Sequence, residues 1–168
     1  LASEHLSYAH YREDNLPLAI VRPSNVYGPR QVGDGAIRGI VLQALQNLPI
    51  TLYNDGTQIR SCCFVDDFVA GVLMCTENPA AVGHAFNLGN PQGTATNFEL
   101  ANMIIRLTNS KSEIIFQPHT GPEVDLRVRS IEKAMSLLGF KPTVSLEAGI
   151  SRTIPWYAEH MAAVSGTR

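Results

Sequence analysis

Short apolar runs alternate with stretches of helical periodicity along this chain, and this alternation limits its fold more than any other sequence feature. The apolar runs at 18–22, 50–53 and 85–88 are typical of buried strands. Apolar residues spaced by three and four follow between them, as at 36–46 and 97–108. Because strands that alternate with helices form parallel sheets covered by helices, we predict an α/β fold.

The balance of charge narrows the classes of partner. The chain has 168 residues, enough for one domain, and a formal net charge of -2. A nucleic-acid-binding protein usually carries a basic face, so this charge argues against nucleic acid. A small phosphorylated ligand needs only one or two well-placed arginines and stays possible. No apolar run reaches the ~20 residues that span a bilayer, and we expect no membrane partner.

Three cysteines, Cys62, Cys63 and Cys75, give an odd number without metal-ligand spacing. The adjacent pair is poorly suited to a disulfide. We therefore expect reduced thiols in a cytoplasmic protein, and no metal site. Asp67 invites a catalytic or metal-binding interpretation, but an aspartate after a strand also caps a helix. The sequence favours this structural role, with Asp66 or Asp67 as the cap.

Seven segments in chain order resemble the extended short-chain dehydrogenase family, the NAD-dependent epimerases and dehydratases of nucleotide sugars. Each segment is weak alone, but together they cover nearly the whole chain at family-like spacing. The segments are Leu1-Ala-Ser-Glu4; Val21-Arg-Pro-Ser-Asn-Val-Tyr-Gly-Pro-Arg30; Asn54-Asp-Gly-Thr-Gln-Ile-Arg-Ser61 with Val65-Asp-Asp67; Phe86-Asn-Leu-Gly-Asn90; Ser130-Ile-Glu-Lys-Ala134; Leu138-Gly-Phe-Lys-Pro142; and Ser145-Leu-Glu-Ala-Gly149.

The resemblance implies the carboxy-terminal part of a Rossmann-type NAD(P)-binding fold plus a small mixed α/β substrate-binding domain. Residues 1–35 would be the last helix, strand and loop of the dinucleotide-binding domain. Residues 36–160 would form the nucleotide-sugar-binding region, and we expect a disordered tail at 161–168. No glycine-rich turn follows an early strand, so NAD would be held mainly by an amino-terminal half that this sequence does not contain.

The family's catalytic Tyr-x-x-x-Lys motif is also missing from the sequence. The resemblance would place its lysine immediately before Leu1, and neither Tyr8 nor Tyr11 has a lysine four positions later. We therefore assign no catalytic residue in this chain and expect the chain alone to be inactive. Pro23 and Ser24 match positions that lie against the nicotinamide in the family, which makes them candidate cofactor contacts.

The resemblance also implies a set of substrate contacts. Asn25 would contact the substrate's diphosphate, although it could also shape the turn that follows. Arg60 and Arg127 match two family arginines that bind the diphosphate, and a guanidinium suits that work because it donates in parallel pairs. Thr51 and Tyr53 would face the pyrimidine base, with edge-strand packing as the alternative for Tyr53. Ala36, at a helix start, would give a backbone contact to the diphosphate.

For the intact protein the resemblance implies transient oxidation at a sugar carbon, with NAD taking and returning hydride. Our leading hypothesis is 4-epimerisation of a UDP-hexose, with a UDP- or dTDP-linked sugar as ligand. Nucleotide-glucose 4,6-dehydration, UDP-glucuronate decarboxylation and a non-catalytic nucleotide-sugar-binding fragment stay open as alternatives. The resemblance further implies a homodimer through the first helix. A strand at 18–22 without a second neighbour would also leave the isolated chain marginally stable.

Overall fold

Helices and strands alternate along the chain in the computed structural model, which describes residues 2–121 and 124–164, with side chains through residue 161. The helices are α1 (Ala2–Glu13), α2 (Ala36–Leu45), α3 (Val65–Glu77), α4 (Asn97–Thr108), α5 (Glu132–Leu138) and α6 (Leu146–Val164). The strands are β1 (Ile20–Pro23), β2 (Val26–Tyr27), β3 (Ile50–Tyr53), β4 (Ile59–Ser61), β5 (Cys63–Phe64), β6 (Ala85–Leu88), β7 (Thr94–Thr96), β8 (Ile114–Gln117) and β9 (Leu126–Arg127). The predicted α/β class is confirmed.

Strand pairing is parallel with one exception. β1 pairs with β6, β2 with β5, and β3 with β8, all in parallel. β4 lies between β7, which runs antiparallel to it, and β9, which runs parallel. In the part of the chain that the structure describes, the outer edge of β1 has no partner strand. The carboxyl ends of parallel strands are where open α/β sheets bind ligands.

The larger of two apolar cores lies between α2, α4, α6 and the strands β2, β3 and β5. The apolar positions of α2 show why it packs there: Ile37, Ile40, Val41 and Ala44 repeat at three and four residues, and all are buried. We call this group the larger core. Its buried members are Tyr27, Ile37, Ile40, Val41, Ala44, Ile50, Leu52, Cys62, Phe64, Leu100, Ala101, Ile104, Leu146, Ile150 and Tyr157.

The smaller core lies around the β1–β6 pair, between α3 and α5. Its buried members are Cys75, Ala81, Phe86, Leu88, Ile131, Ala134, Leu138 and Phe140. Gly71 lets α3 approach closely, because a Cβ there would lie 2.9 Å from side-chain atoms of Leu88 and Phe140. The smaller core joins β1 to elements from 65–140. The boundary predicted at residue 35 therefore does not separate the two cores in space.

Asp67 has a structural role, as predicted, but it is not a helix cap. α3 begins at Val65, and its cap residue Phe64 makes no side-chain capping bond. The buried Asp67 carboxylate instead accepts hydrogen bonds from Thr143 N and Oγ1, both at 3.0 Å, and from Val144 N at 2.9 Å. It thereby ties α3 to the segment that enters α6. Sequence spacing gives no sign of this contact because the partners are more than seventy residues apart.

Several boundaries differ from the sequence prediction. The strands β2, β4 and β7 are missed, because each has only two or three residues and lies within a segment rich in turn-forming residues. α6 continues through Pro155 as one helix and reaches Val164, into the range predicted as a disordered tail. Leu1 and residues 165–168 lie outside the described residues. None of the helices in the described ranges has the length and apolar character that crossing a bilayer requires.

Candidate functional site

A cleft of about 320 Å³ opens beside α2, β2 and β4. Three of the predicted binding residues, Asn25, Ala36 and Arg60, line it. The α2 amino terminus faces this cleft through Gly35, Ala36 and Ile37. Gly35 is the cap residue of α2 and makes no side-chain capping bond, and the first turn of α2 contains no acidic residue. A helix start with uncapped amides favours an anion.

A second cleft, of about 210 Å³, adjoins the first and continues it toward β3. Its lining includes Thr51, Tyr53 and again Ala36, and Asn97 belongs to both clefts. Tyr53 is 52% exposed, so its ring is open to a ligand instead of packed in a sheet edge. The structure thus brings five of the eight predicted residues onto one continuous surface.

Arg60 and Arg127 are direct neighbours on parallel strands. They are register partners in the β4–β9 ladder, and such partners present their side chains on the same face of a sheet. Arg60 Nη1 donates to the carbonyl of Ile59 at 3.0 Å. Neither guanidinium has a carboxylate partner among the described residues. Two adjacent positive charges that have no counter-ion in the described ranges form a site suited to a dianionic group.

Asn25 has a structural contact as well as a place in the cleft. Its backbone has a φ of 21°, and its Nδ2 donates to the carbonyl of Ser61 at 2.9 Å. This bond joins the start of β2 to the end of β4 and uses one of the two amide hydrogens of Asn25. The turn-shaping interpretation and the ligand-binding interpretation are therefore compatible.

Pro23 and Ser24 lie at the end of β1 and line neither cleft. Ser24 is buried, with 3% of its surface exposed, and its Oγ has no hydrogen-bond partner among the described residues. Its backbone N–H donates to Leu88 at 3.0 Å. Leaving a buried hydroxyl unpaired costs about 1–3 kcal/mol, so this atom is a candidate for a ligand contact.

Three residues near the clefts were not identified from the sequence. Gln58 is a buried polar residue, and it bonds to Asn97 and to the carbonyl of Tyr53. The ring of His119 lies 5.3 Å from that of Tyr53, between centroids. The sequence offers Thr96 or Asn97 as the cap of α4, and the cap is Thr96, in a capping box with Glu99, which leaves the Asn97 side chain free to contact Gln58. Sequence spacing shows none of these contacts, because they depend on which strands meet.

The nearest nucleophile to the clefts is unreactive. Burial raises the pKa of the Cys62 thiol to about 11, although Arg60 acts in the opposite direction. Cys62 is therefore protonated at neutral pH, whereas a nucleophilic cysteine must be a thiolate. All three cysteines are free, as predicted. The described residues contain no group of three or more His, Cys, Asp or Glu side chains that could hold a metal ion.

A larger groove of about 600 Å³ lies between the segment before β1 and α3. Its lining is mainly apolar, with side chains such as Leu18, Val21 and Val72. None of the predicted binding residues lines it. It offers no cation for a phosphate. This groove is the larger of the two as a candidate ligand site, but the position of Arg60 favours the clefts beside α2.

The fold and the site define an α/β protein with a cleft suited to an anionic ligand that carries an aromatic group. A family model described as "NAD dependent epimerase/dehydratase family" matches residues 1–89. The chain belongs to this family of NAD-dependent epimerases and dehydratases of nucleotide sugars. The resemblance identified from the sequence is therefore confirmed.

Individual relatives agree with this assignment. The chain is 40% identical over 150 residues to UDP-glucuronic acid decarboxylase 2 of Arabidopsis thaliana, covering 88% of this chain and 33% of that protein.

Among solved structures, the UDP-glucose 4-epimerase of Thermotoga maritima with UDP-glucose matches with a TM-score of 0.90 and 27% identity, over 95% of this chain and 52% of that one. The UDP-glucuronic acid 4-epimerase of Bacillus cereus, in complex with UDP-glucuronic acid and NAD, matches with a TM-score of 0.87 and 29% identity, over 93% and 50%. The chain thus spans between a third and about half of the length of these relatives.

Proposed function

We propose that this chain binds the nucleoside diphosphate of a UDP-sugar within an NAD-dependent enzyme of this family. The observation that carries the proposal is the pair Arg60 and Arg127, in register on adjacent strands and without a carboxylate partner among the described residues. Each guanidinium can donate two parallel hydrogen bonds to a phosphate. The cleft beside Arg60 continues toward Tyr53, so a ligand with its phosphates at Arg60 would extend toward Tyr53.

The diphosphate would lie between the arginines and the start of α2. Asn25 would donate its second amide hydrogen, and the backbone N–H of Ala36 would add a neutral donor at the positive end of the helix dipole. These donors have fixed positions, because Asn25 is held by Ser61 and α2 is packed into the larger core. A fixed donor set binds with a smaller loss of conformational entropy than a mobile one.

The base would lie in the second cleft, against Tyr53 and Thr51. The exposed ring of Tyr53 offers a surface on which a pyrimidine can stack. His119, next to Tyr53, would limit how far the base reaches along the strand. The solved relatives with UDP-glucose and UDP-glucuronic acid support uracil as this base.

Pro23 and Ser24 would form one edge of the cofactor site. The buried Oγ of Ser24, which has no partner among the described residues, would suit a polar group of NAD. Gly89 lets the segment after β6 pass close to Ser24, since a Cβ there would lie 2.7 Å from that of Ser24. When bound, NAD would accept a hydride from the sugar and later return it. The sequence holds no Tyr-x-x-x-Lys, so residues outside this chain would move the protons. This chain would contribute orientation of the sugar.

Two candidate reactions, which differ in the sugar, fit this binding site. The sequence favours 4-epimerisation of a UDP-hexose. A second candidate, decarboxylation of UDP-glucuronate, is favoured by the 40% identity to a UDP-glucuronic acid decarboxylase. Affinity for UDP-glucose and UDP-glucuronate, measured by titration calorimetry on the same preparation, separates the two. Tighter binding of UDP-glucuronate supports the second candidate, and equal or weaker binding supports the first.

The binding proposal is tested by titrating the chain with UDP and following its melting temperature. A ligand that binds the folded state raises this temperature by mass action. We expect Arg60→Ala and Arg127→Ala each to weaken UDP binding by about tenfold to a hundredfold, since a charge-assisted bond contributes about 1.5–3 kcal/mol. Arg12→Ala, on the exposed side of α1, is the control and should bind as the wild type does. An undiminished shift in both site variants would contradict the proposal.

A further inference from the structure

Two amide side chains, Gln58 and Asn97, form a bridge between the two clefts. Gln58 is 3% exposed, and its Oε1 accepts from Asn97 Nδ2 at 3.1 Å. Its Nε2 donates to the carbonyl of Tyr53 at 3.3 Å, and its own carbonyl accepts from the backbone N–H of Asn97 at 3.2 Å. A buried amide with satisfied partners is held in one orientation.

The bridge connects the residues proposed to bind the two ends of the ligand. Tyr53 ends β3 on the side of the base, whereas Arg60 follows Gln58 by two residues, on β4. Asn97 begins α4 and lines both clefts. β3 and β4 are not neighbours in any sheet, so their separation is not set by a strand ladder. Gln58 and Asn97 supply the side-chain link between them.

We infer that Gln58 and Asn97 are positioning residues that set the distance between the base contact at Tyr53 and the phosphate contact at Arg60. This inference rests on the proposed function of the clefts. A ligand that carries both groups gains affinity only when both contacts are reached at once. A bridge that fixes the spacing therefore favours the linked ligand and leaves each separate group unaffected.

The test compares three ligands on wild type and Gln58→Leu, with uridine for the base alone, pyrophosphate for the phosphates alone, and UDP for both. Dissociation constants are measured by ligand-observed NMR. We expect Gln58→Leu to weaken UDP by about tenfold while uridine and pyrophosphate change by less than about twofold, because only the linked ligand depends on spacing. Gln92→Leu, the same change at an exposed glutamine, is the matched control and should leave all three constants unchanged.

A second variant keeps the test decisive if Gln58→Leu folds poorly. Asn97→Ala removes the side-chain half of the bridge but keeps the backbone bond to Gln58, and it should give the same selective loss for UDP. The double variant should lose no more than Gln58→Leu alone, since the two residues act as one unit.

Several results would overturn the inference. An equal loss for all three ligands would indicate general disruption, and a loss for uridine alone would indicate direct contact with the base. Unchanged UDP binding would be compatible with the proposed function but would show that Gln58 and Asn97 do not position its contacts. If the wild type binds neither UDP nor pyrophosphate, the proposed function fails and the inference fails with it.

Discussion

The regions around the two apolar cores differ in how completely this chain encloses them. The larger core lies between three helices, α2, α4 and α6. The smaller core lies on a two-stranded sheet in which the outer edge of β1 has no partner strand among the described residues. α1, which lies beside that sheet, contributes no buried residue. An ion pair of Glu4 with Arg22 links it to the sheet.

This difference parallels the separate locations proposed for the substrate and the cofactor. The two clefts proposed to bind the substrate lie on α2, β3 and α4, which pack into the larger core. The proposed cofactor edge, at Pro23 and Ser24, lies at the end of β1, whose outer edge has no partner strand among the described residues. The proposed nucleotide contacts therefore rest on packing that this chain provides.

Truncation of a residue in the larger core should give the largest effect. Ile104→Ala, in the larger core, is expected to lower the free energy of unfolding by about 3 kcal/mol, because it removes buried surface and leaves a cavity. Leu6→Ala, at a 62% exposed position of α1, should change it by less than about 0.5 kcal/mol. Urea denaturation followed by circular dichroism measures both. A small effect of Ile104→Ala would contradict the description of the larger core as tightly enclosed.

The link between the regions should come next in size. Asp67→Ala removes the acceptor of three hydrogen bonds and leaves donors of Thr143 and Val144 unpaired. We expect a loss of about 2–3 kcal/mol in the free energy of unfolding. Asp66→Ala, at the exposed neighbouring position, is the matched control and should cost about 0.5 kcal/mol or less. Equal losses from the two variants would show that Asp67 does not join the regions.

Thiol labelling should show which region opens more often. Burial raises the pKa of Cys63 to about 12, and that of Cys75 is raised by burial as well. Cys75 belongs to the smaller core and lines the open groove beside β1. We therefore expect it to react with a thiol reagent about tenfold faster than Cys63, because labelling follows local opening and thiolate content. Peptide mass spectrometry separates the sites, and equal rates would contradict the regional difference.

The smallest effect should appear in the pH dependence of the α4 cap. Hydrogen bonds from the backbone and side chain of Thr96 hold the pKa of Glu99 below its ordinary value of 4.5. A carboxylate with a lowered folded-state pKa stabilises above the ordinary value and loses that contribution as pH falls through the folded value. Glu99→Ala should therefore cost up to about 1 kcal/mol at neutral pH and less at pH about 3.

The exposed Glu159→Ala on α6 serves as the control for the cap. The effect of this substitution on the free energy of unfolding should be the same at neutral and at acidic pH. A deficit of Glu99→Ala that stays constant with pH would show that the capping box does not depend on the charge of Glu99. The effect would then belong to helix propensity alone.

Much of the fold follows from local patterns. The strands at 50–53 and 85–88 were predicted at their observed bounds, because apolar runs of that length suit a buried strand. The start of α4 follows from the spacing of Thr96 and Glu99, and the end of α5 from Gly139, which has a φ of 71°. Short strands such as β2, β4 and β7 have no such signal, because they exist only where a partner strand lies beside them.

The candidate site divides in the same way. Arg60, Asn25 and Tyr53 could be identified from segments that resemble a known family, and the structure places them on one surface. Gln58 and the carboxylate of Asp67 could not be interpreted correctly, since their partners come from distant parts of the chain. A buried polar side chain is informative only when its hydrogen-bond partner is known.

The sequence by itself determined the class of fold, the family and the residue types available for binding a phosphate, because these depend on periodicity and on short motifs. The tertiary structure decided which residues meet. It set Arg60 beside Arg127 through the β4–β9 pairing, left the hydroxyl of Ser24 buried and without a partner among the described residues, and linked Gln58 to Asn97, which lines both clefts. Such contacts depend on loop closure over long separations, whose outcome is fixed by the packing of the whole chain and not by any local spacing.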